Sequence, residues 1–168
     1  NVLGLWDDLA KNAQPMVGIK VSDGYAGEVP SPFVMQFDQQ DFTEGPMGYM
    51  VEDRNLRRVL QGVLKDSKVT FKSNTEVLSQ TVKPTQVAVE LTSGATITAA
   101  VLVGADGRTS NTAKTAGLTR SGWDYGQSSL VCAIAHEKPH NGIAHQYFMP
   151  SGPLAILPLT GNRSGIVW

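Results

Sequence analysis

The residues best suited to chemistry lie in the stretch 101–110, which contains the run Gly104-Ala105-Asp106-Gly107. A β-branched, apolar run enters this stretch and a polar segment able to start a helix follows. The pattern predicts a buried strand, a tight glycine turn and a helix N-terminus, an arrangement that often holds an anionic cofactor. Asp106 could accept hydrogen bonds from ribose hydroxyls or order the loop, and Gly107 would allow close backbone approach to a pyrophosphate.

The same Asp-Gly pair is also a strong signal for a type I′ hairpin turn. The context favours a cofactor loop, because a helix and not a second strand is predicted after Gly107. However, the 168 residues contain no phosphate loop of the G-x-G-x-x-G kind. This absence counts against a self-contained nucleotide-binding enzyme.

Other reactive side chains give weaker signals. Arg54 is expected in the first turn of a helix and could pair with a phosphate, although a solvated helix residue is the simpler interpretation. The three histidines lack the spacing of metal ligands, so we predict no metal site. Cys132 is the only cysteine, and its place in a predicted strand favours a small buried hydrophobe over a nucleophile. We predict no set of catalytic acid, base or nucleophile side chains.

Composition excludes several functional classes. The net charge of -1 provides no basic surface for nucleic acid. No apolar run approaches the roughly 20 residues that a membrane span requires. A single cysteine fits a reducing compartment. The sequence opens without methionine and stops within an apolar strand pattern, so we expect a piece of a longer protein.

One helix is predicted with particular clarity after Asp53, which we expect to be its N-cap. Arg54, Arg57 and Arg58 fall in its first turns, where basic residues are unfavourable with respect to the helix dipole. A nearby anion is therefore expected to compensate them. The helix presents a single apolar stripe, formed by Leu56, Val59, Leu60, Val63 and Leu64.

Alternating apolar residues predict most of the remaining elements to be strands. Ser93-Gly94 predicts a tight hairpin turn, and Gly117 is expected to close a short helix over 110–116. Segments 25–32 and 38–46 are expected to be connections. The predicted strands cover 16–21, 33–37, 48–51, 69–72, 76–83, 86–92, 95–103, 129–136, 144–148, 154–157 and 164–168.

Four parts of the chain together resemble the FAD-dependent aromatic-ring hydroxylases, in particular the ubiquinone-biosynthesis hydroxylases that act on prenylated phenols. Residues 3–9 resemble the family's helix before the first substrate-side strand, and residues 48–54 its strand-to-helix junction. Residues 102–110 resemble its Asp-Gly fingerprint. Residues 148–159 with 163–168 resemble its substrate-sheet strands ending in Val-Trp, and this part is the most specific to the ubiquinone branch.

The resemblance implies an α/β (α+β) fold with two parts. One is a partial FAD/NAD(P)-binding Rossmann-like domain, and the other is an antiparallel substrate-binding β-sheet of the p-hydroxybenzoate hydroxylase type. Residues 1–15 and 47–120 would form the partial FAD-binding domain. Residues 16–46 and 121–168 would form the substrate sheet, so both domains would be discontinuous in sequence.

The resemblance also implies which residues meet the cofactor. Arg54 would approach the ribityl-pyrophosphate part of the flavin, and Val77 would lie in the strand that passes the adenine. Asp106 and Gly107 would serve FAD and also the NAD(P)H that reduces it. The family's arginine three residues after the fingerprint serine is replaced here by Ala113.

On the substrate side, the resemblance implies that Leu157 and Pro158 face the cavity near the isoalloxazine. The substrate would be a small aromatic molecule or a prenylated phenol, and the flavin would supply the hydroxylating chemistry. That would explain why the sequence offers no acid-base set. Because the glycine-rich phosphate loop and the family's later Gly-Asp motif are absent, the chain alone is expected to bind FAD weakly or not at all and to lack hydroxylase activity.

Two alternatives remain open. The first is a non-catalytic module of the same fold that binds a prenylated lipid or a partner enzyme. The second is a flavin hydroxylase with a non-quinone aromatic substrate. Through the resemblance we expect a cytoplasmic protein, peripheral to the inner membrane that holds a prenylated substrate. Exposed apolar edges would favour self-association.

Overall fold

A computed structural model of the chain describes residues 2–29, 31–41 and 45–168. Residues 30 and 42–44, on which parts of the two predicted connections fall, lie outside this description. The helices are α1 Trp6–Ala10, α2 Asp53–Asp66 and α3 Asn111–Thr115, with a short 3-10 turn at Gln39–Asp41. The strands are β1 Ala13–Met16, β2 Gly18–Asp23, β3 Met35–Asp38, β4 Gly48–Val51, β5 Val77–Val82, β6 Val87–Leu91, β7 Thr96–Ala99, β8 Val131–Ala135, β9 Ile143–Met149, β10 Gly152–Leu159 and β11 Arg163–Val167.

The chain divides into two compact units. Unit 1 comprises Asn1–Val69 and Gln127–Trp168, and unit 2 comprises Thr70–Gly126. Among the described residues, no helix has both the length and the hydropathy needed to cross a bilayer. The predicted assignment of segments to a cofactor domain and a substrate domain concerns function, and it stays a prediction.

Unit 1 is built on a six-stranded sheet with the order β3-β2-β9-β10-β11-β8. Its neighbouring strands are antiparallel except β2 and β9, which run parallel. This parallel pair is possible because β2 and β9 are far apart in sequence, so a long crossover can join them. The predicted antiparallel sheet is therefore observed with one parallel pair. Pro158 and Leu159 at the end of β10, together with Ala144 and Ser164 on the flanking strands, are its most buried residues.

Helix α2 confirms the predicted amphipathic helix, but its first turn differs from the prediction. Glu52 is the N-cap and Asp53 is already helical. The Glu52 backbone is extended, and its side chain makes no capping hydrogen bond to the helix. Arginines hold the carboxylate of Glu52 instead, which explains why this side chain does not cap the helix.

Unit 2 contains a three-stranded antiparallel sheet, β5-β6-β7, and the short helix α3. The alternation along β6 buries Val87, Val89 and Leu91 on one face, as predicted. Gly94 adopts a φ of 80° in the turn between β6 and β7, which confirms the hairpin. The side-chain amide of Gln80 on β5 donates to the Thr112 carbonyl at 3.0 Å, and this bond ties the sheet to α3.

Two predicted strands are wrong in whole or in part. Residues 69–72 form no strand, and Val69 and Phe71 are exposed. The strand predicted over 95–103 ends at Ala99, and Val101 and Val103 remain 72% and 78% exposed. In the described part of the chain no strand pairs with residues 101–103. An apolar run becomes a strand only where a neighbour accepts its backbone hydrogen bonds, so periodicity alone over-predicts here.

Candidate functional site

Asp106 organises the loop that leads into α3. One carboxylate oxygen, Oδ1, accepts a hydrogen bond from the Ser110 hydroxyl. The other, Oδ2, accepts from the backbone N–H and from the hydroxyl of Thr112, each at 3.0 Å. These bonds, that of Ser110 above all, hold the pKa of Asp106 well below its usual range. Of the two roles open from the sequence, the geometry provides loop ordering, and contact with a ribose stays a prediction.

Ser110 extends this network into the helix. Its side chain caps α3 by accepting from the backbone N–H of Ala113 at 3.0 Å while its hydroxyl donates to Asp106. At the other end, Gly117 has a φ of 74°, which confirms the left-handed residue predicted there. A helix of five residues has little stability of its own. Asp106 and Ser110 therefore determine where the helix begins.

The two glycines of the fingerprint serve different purposes. A Cβ on Gly104 would lie 2.8 Å from Thr112 Cγ2 and 2.9 Å from Thr112 Cβ, so Gly104 permits the loop to pack against α3. Gly107 has a φ of 83°, and nothing lies within 4 Å of where its Cβ would be. Its backbone is therefore left-handed and is not crowded by any described residue, and its role beside a pyrophosphate stays a prediction.

A cavity of about 470 Å³ lies within unit 2 beside this loop. Gly104 and Ser110 line it from the loop, Thr112 from α3, and Gln80 from β5. Asp106 and Gly107 do not line the cavity, and neither does Val77, which is half exposed at the start of β5. The structure therefore places Asp106 and Gly107 on one loop and Val77 on a separate strand of the same unit.

Arg54, in unit 1, belongs to a cluster of three charged side chains. Its Nη2 donates to Glu52 Oε2 at 2.9 Å. Arg163 on β11 donates from Nη1 to the same oxygen at 3.1 Å and from Nη2 to Oε1 at 3.0 Å. Arg57 pairs separately with Asp53. We expected an anion to compensate the arginines of the first turns. For Arg54 and Arg57 this anion is a carboxylate of the chain itself.

Glu52 is the carboxylate that both arginines of this cluster share, and its side chain is only 18% exposed. Hydrogen bonds from Arg163 first, and then from Arg54, lower its pKa from 4.5 to about 2. Glu52 raises the pKa of Arg163 in turn. No local sequence signal pointed to Glu52 or Arg163, because the strand that carries Arg163 lies far along the chain.

We expect this pair to give the chain a specific acid sensitivity. Folding lowers the pKa of Glu52, so the stabilisation is complete above about pH 4.5 and is lost as the pH falls toward 2. The urea unfolding free energy of Glu52→Gln should therefore lie below that of the wild type at pH 6, and the difference should shrink on acidification. Asp53→Asn, which alters an exposed carboxylate, is the matched control. A difference independent of pH would contradict the assignment.

Leu157 and Pro158, the predicted substrate-side residues, are adjacent on β10. Leu157 is half-buried and pairs with Gly165, whereas Pro158 is fully buried and pairs with Ser164. Successive side chains of a strand point to opposite faces of a sheet. The two side chains therefore lie on different faces, and their role toward a substrate stays a prediction.

Cys132 lies on β8, and His136 follows this strand directly. The expectation that Cys132 is buried is wrong: it is exposed, as are the other residues of β8, because no described residue covers them. His136 accepts from or donates to the buried Ser164 hydroxyl at 2.9 Å and contacts the Lys138 carbonyl at 2.7 Å, so it satisfies a buried polar group. Within the described ranges, no cluster of three or more His, Cys, Asp or Glu side chains could hold a metal ion.

Comparison with known proteins identifies the family. The profile of the FAD binding domain family matches residues 1–166. The chain belongs to this family. Among curated relatives, a ubiquinone hydroxylase, UbiL, of Rhodospirillum rubrum is 38% identical, with the match covering 100% of this chain and 38% of the relative. The 3-demethoxyubiquinol 3-hydroxylase of Escherichia coli is 29% identical over 99% of the chain and 41% of its own length. The chain thus spans about two fifths of these two relatives.

Solved structures agree on the fold. Pseudomonas aeruginosa PqsL in complex with 2-aminobenzoylacetate gives a TM-score of 0.79 at 19% identity and covers 99% of this chain and 45% of its own. Klebsiella pneumoniae HpxO complexed with FAD and uric acid gives 0.75 at 20% identity, covering 99% of this chain and 42% of its own. The predicted α/β fold of the p-hydroxybenzoate hydroxylase type and the resemblance to the ubiquinone-biosynthesis hydroxylases are confirmed.

Proposed function

We propose that this chain is part of an FAD-dependent monooxygenase that hydroxylates a phenol, prenylated or otherwise, in ubiquinone biosynthesis with NAD(P)H and O2. The observation that carries the proposal is the 38% identity to a ubiquinone hydroxylase over the whole chain. The family match over residues 1–166 supports FAD as the cofactor. FAD, when bound, supplies the redox and oxygen-transfer chemistry. The protein binds and orients the substrate and excludes water from the site.

The residues proposed to meet FAD are Arg54, Val77, Asp106 and Gly107. Gly107 supports the fit, since its left-handed backbone is open on the side where a Cβ would stand. Arg54 supports it too, because its side chain is 69% exposed and, among the described residues, it makes a single hydrogen bond, to Glu52. Asp106 acts by holding the loop that carries Gly107 in shape.

For the substrate, we propose that Leu157 forms part of the wall of an aromatic-substrate cavity, and that Pro158, buried on the opposite face of β10, supports the strand from behind. We also propose a cytoplasmic location, peripheral to the inner membrane, where a prenylated phenol would reside. Self-association is proposed from the exposed apolar side chains along edge strand β8, Val131 and Ile134. Sedimentation of the purified protein with and without liposomes tests both associations.

The activity is tested on the complete enzyme encoded by the gene. Incubation with a prenylated phenol, NAD(P)H and ¹⁸O2 should yield a product that carries one ¹⁸O atom, detected by mass spectrometry. Oxidation of NAD(P)H without labelled product from prenylated phenols, but with product from other aromatics, would instead favour a non-quinone substrate. Absence of bound FAD would favour a non-catalytic module.

The chain by itself is expected to bind FAD poorly. Asp106 and Gly107 supply one loop, but no G-x-G-x-x-G phosphate loop occurs in the sequence. Titration of the purified chain followed by flavin fluorescence should show no saturation at micromolar FAD. A stoichiometric complex of micromolar or tighter affinity would contradict this expectation. Asp106→Ala is the control that separates site-specific binding from non-specific binding.

A further inference from the structure

We infer that Arg163, acting through Glu52, keeps the guanidinium of Arg54 available to an anionic group of the cofactor. Glu52 and Arg163 would then be positioning residues. The inference rests on the proposed role of Arg54 in binding FAD. It concerns a strand of the large sheet and the first turn of α2, both of which lie in unit 1.

Arg163 holds the carboxylate of Glu52 by both of its oxygens. Its two terminal nitrogens reach the two Glu52 oxygens at 3.1 and 3.0 Å, the forked geometry typical of strong arginine–carboxylate pairs. The Arg163 side chain is 33% exposed and that of Glu52 is 18% exposed. Partial burial reduces the screening of this pair by solvent, so it fixes the orientation of the carboxylate.

The hold of Arg163 on Glu52 limits the hydrogen bonding between Glu52 and Arg54. Because Arg163 takes both oxygens, Arg54 makes one hydrogen bond to Glu52, at 2.9 Å. The guanidinium group has five N–H donors, and within the part of the chain that the structure describes most of them make no hydrogen bond. Two cations share one carboxylate, so the cluster keeps a net positive charge that favours a bound anion.

Removing Arg163 would change the pairing between Glu52 and Arg54. Glu52 would lose its partner on the sheet but keep its charge beside Arg54. The carboxylate would be free to turn and form the forked pair with Arg54. That pairing would occupy the donors of Arg54 and neutralise its charge, so the affinity for an anionic cofactor would fall.

A suppressor experiment tests this mechanism in the complete flavoprotein. The dissociation constant for FAD is measured by flavin fluorescence on reconstitution of the apoprotein. Arg163→Met should raise this constant by about tenfold, the scale expected from losing one charge-assisted contact. Adding Glu52→Gln to Arg163→Met should return the constant to within about twofold of the wild type, because a neutral amide cannot sequester Arg54. Arg57→Met, which breaks another ion pair of the same helix, is the matched control and should have little effect.

The outcomes separate positioning from a structural role. If the double variant binds FAD as weakly as Arg163→Met or more weakly, or if Arg163→Met binds normally, the inference is wrong. If Arg163→Met does not fold, Arg163→Lys replaces it, since lysine cannot fill both carboxylate oxygens, and the same suppression by Glu52→Gln is required. Failure of the proposed activity appears separately, as wild-type protein that binds FAD and does not hydroxylate the phenol.

Discussion

Replacing Gly104 with alanine is expected to lower the free energy of unfolding of unit 2 by about 2 kcal/mol, the usual scale of overpacking. The new Cβ would stand 2.9 Å from Thr112 Cβ, and no side-chain rotation can remove that contact. Rotation of Thr112 away from the Cγ2 contact at 2.8 Å would break the hydrogen bond from its hydroxyl to Asp106. The strain therefore falls on the loop as a whole.

Hydrogen exchange measured by mass spectrometry follows unit 2 separately from unit 1. Peptides covering β5 to β7 and α3 should lose protection in Gly104→Ala. Gly107→Ala meets no atoms but has a φ of 83°, so a smaller loss of about 1 kcal/mol is expected. Gly62→Ala, in the open middle of α2, should stabilise unit 1 by about 0.5–1 kcal/mol. Equal behaviour of the three variants would show that packing at Gly104 is not limiting.

Replacing Asp106 with alanine in the complete enzyme is expected to weaken FAD binding by tenfold or more, on the scale of lost hydrogen bonds to a charged group. All three bonds from Ser110 and Thr112 would be lost, and the loop carrying Gly107 would no longer be held in shape. Asp106→Asn keeps one carbonyl oxygen as acceptor and should have an intermediate effect. The measurement is the dissociation constant from flavin fluorescence.

Asp124→Asn provides the matched control for this prediction. Asp124 also lies in a loop of unit 2, but among the described residues its carboxylate accepts a single hydrogen bond, from the backbone N–H of Gly126. Its replacement should leave FAD affinity close to that of the wild type. A similar loss in the Asp124 and Asp106 variants would mean that general destabilisation of unit 2, not the order of the fingerprint loop, controls binding.

The sequence predicted the elements whose signals are local. The apolar stripe of α2, the glycine that ends α3 and the hairpin at Gly94 were each encoded within a few neighbouring residues. The last three strands were also predicted, because their apolar runs are separated by turn residues. Four stretches, among them the Asp-Gly fingerprint and the Val-Trp strand pattern, together indicated the family, which the comparisons confirmed.

The tertiary structure decided what depends on partners distant in sequence. Residues 101–103 have a strand-like composition, yet they form no strand, because no described strand accepts their backbone hydrogen bonds. Cys132 is exposed because nothing in the described part of the chain covers its side chain, which its own neighbours in sequence do not reveal. Glu52 and Arg163 meet only because the sheet brings β11 to the start of α2. Signals from neighbouring residues thus determined the helices and turns and indicated the family. Contacts between residues distant in sequence determined burial, strand pairing and the charged cluster around Arg54.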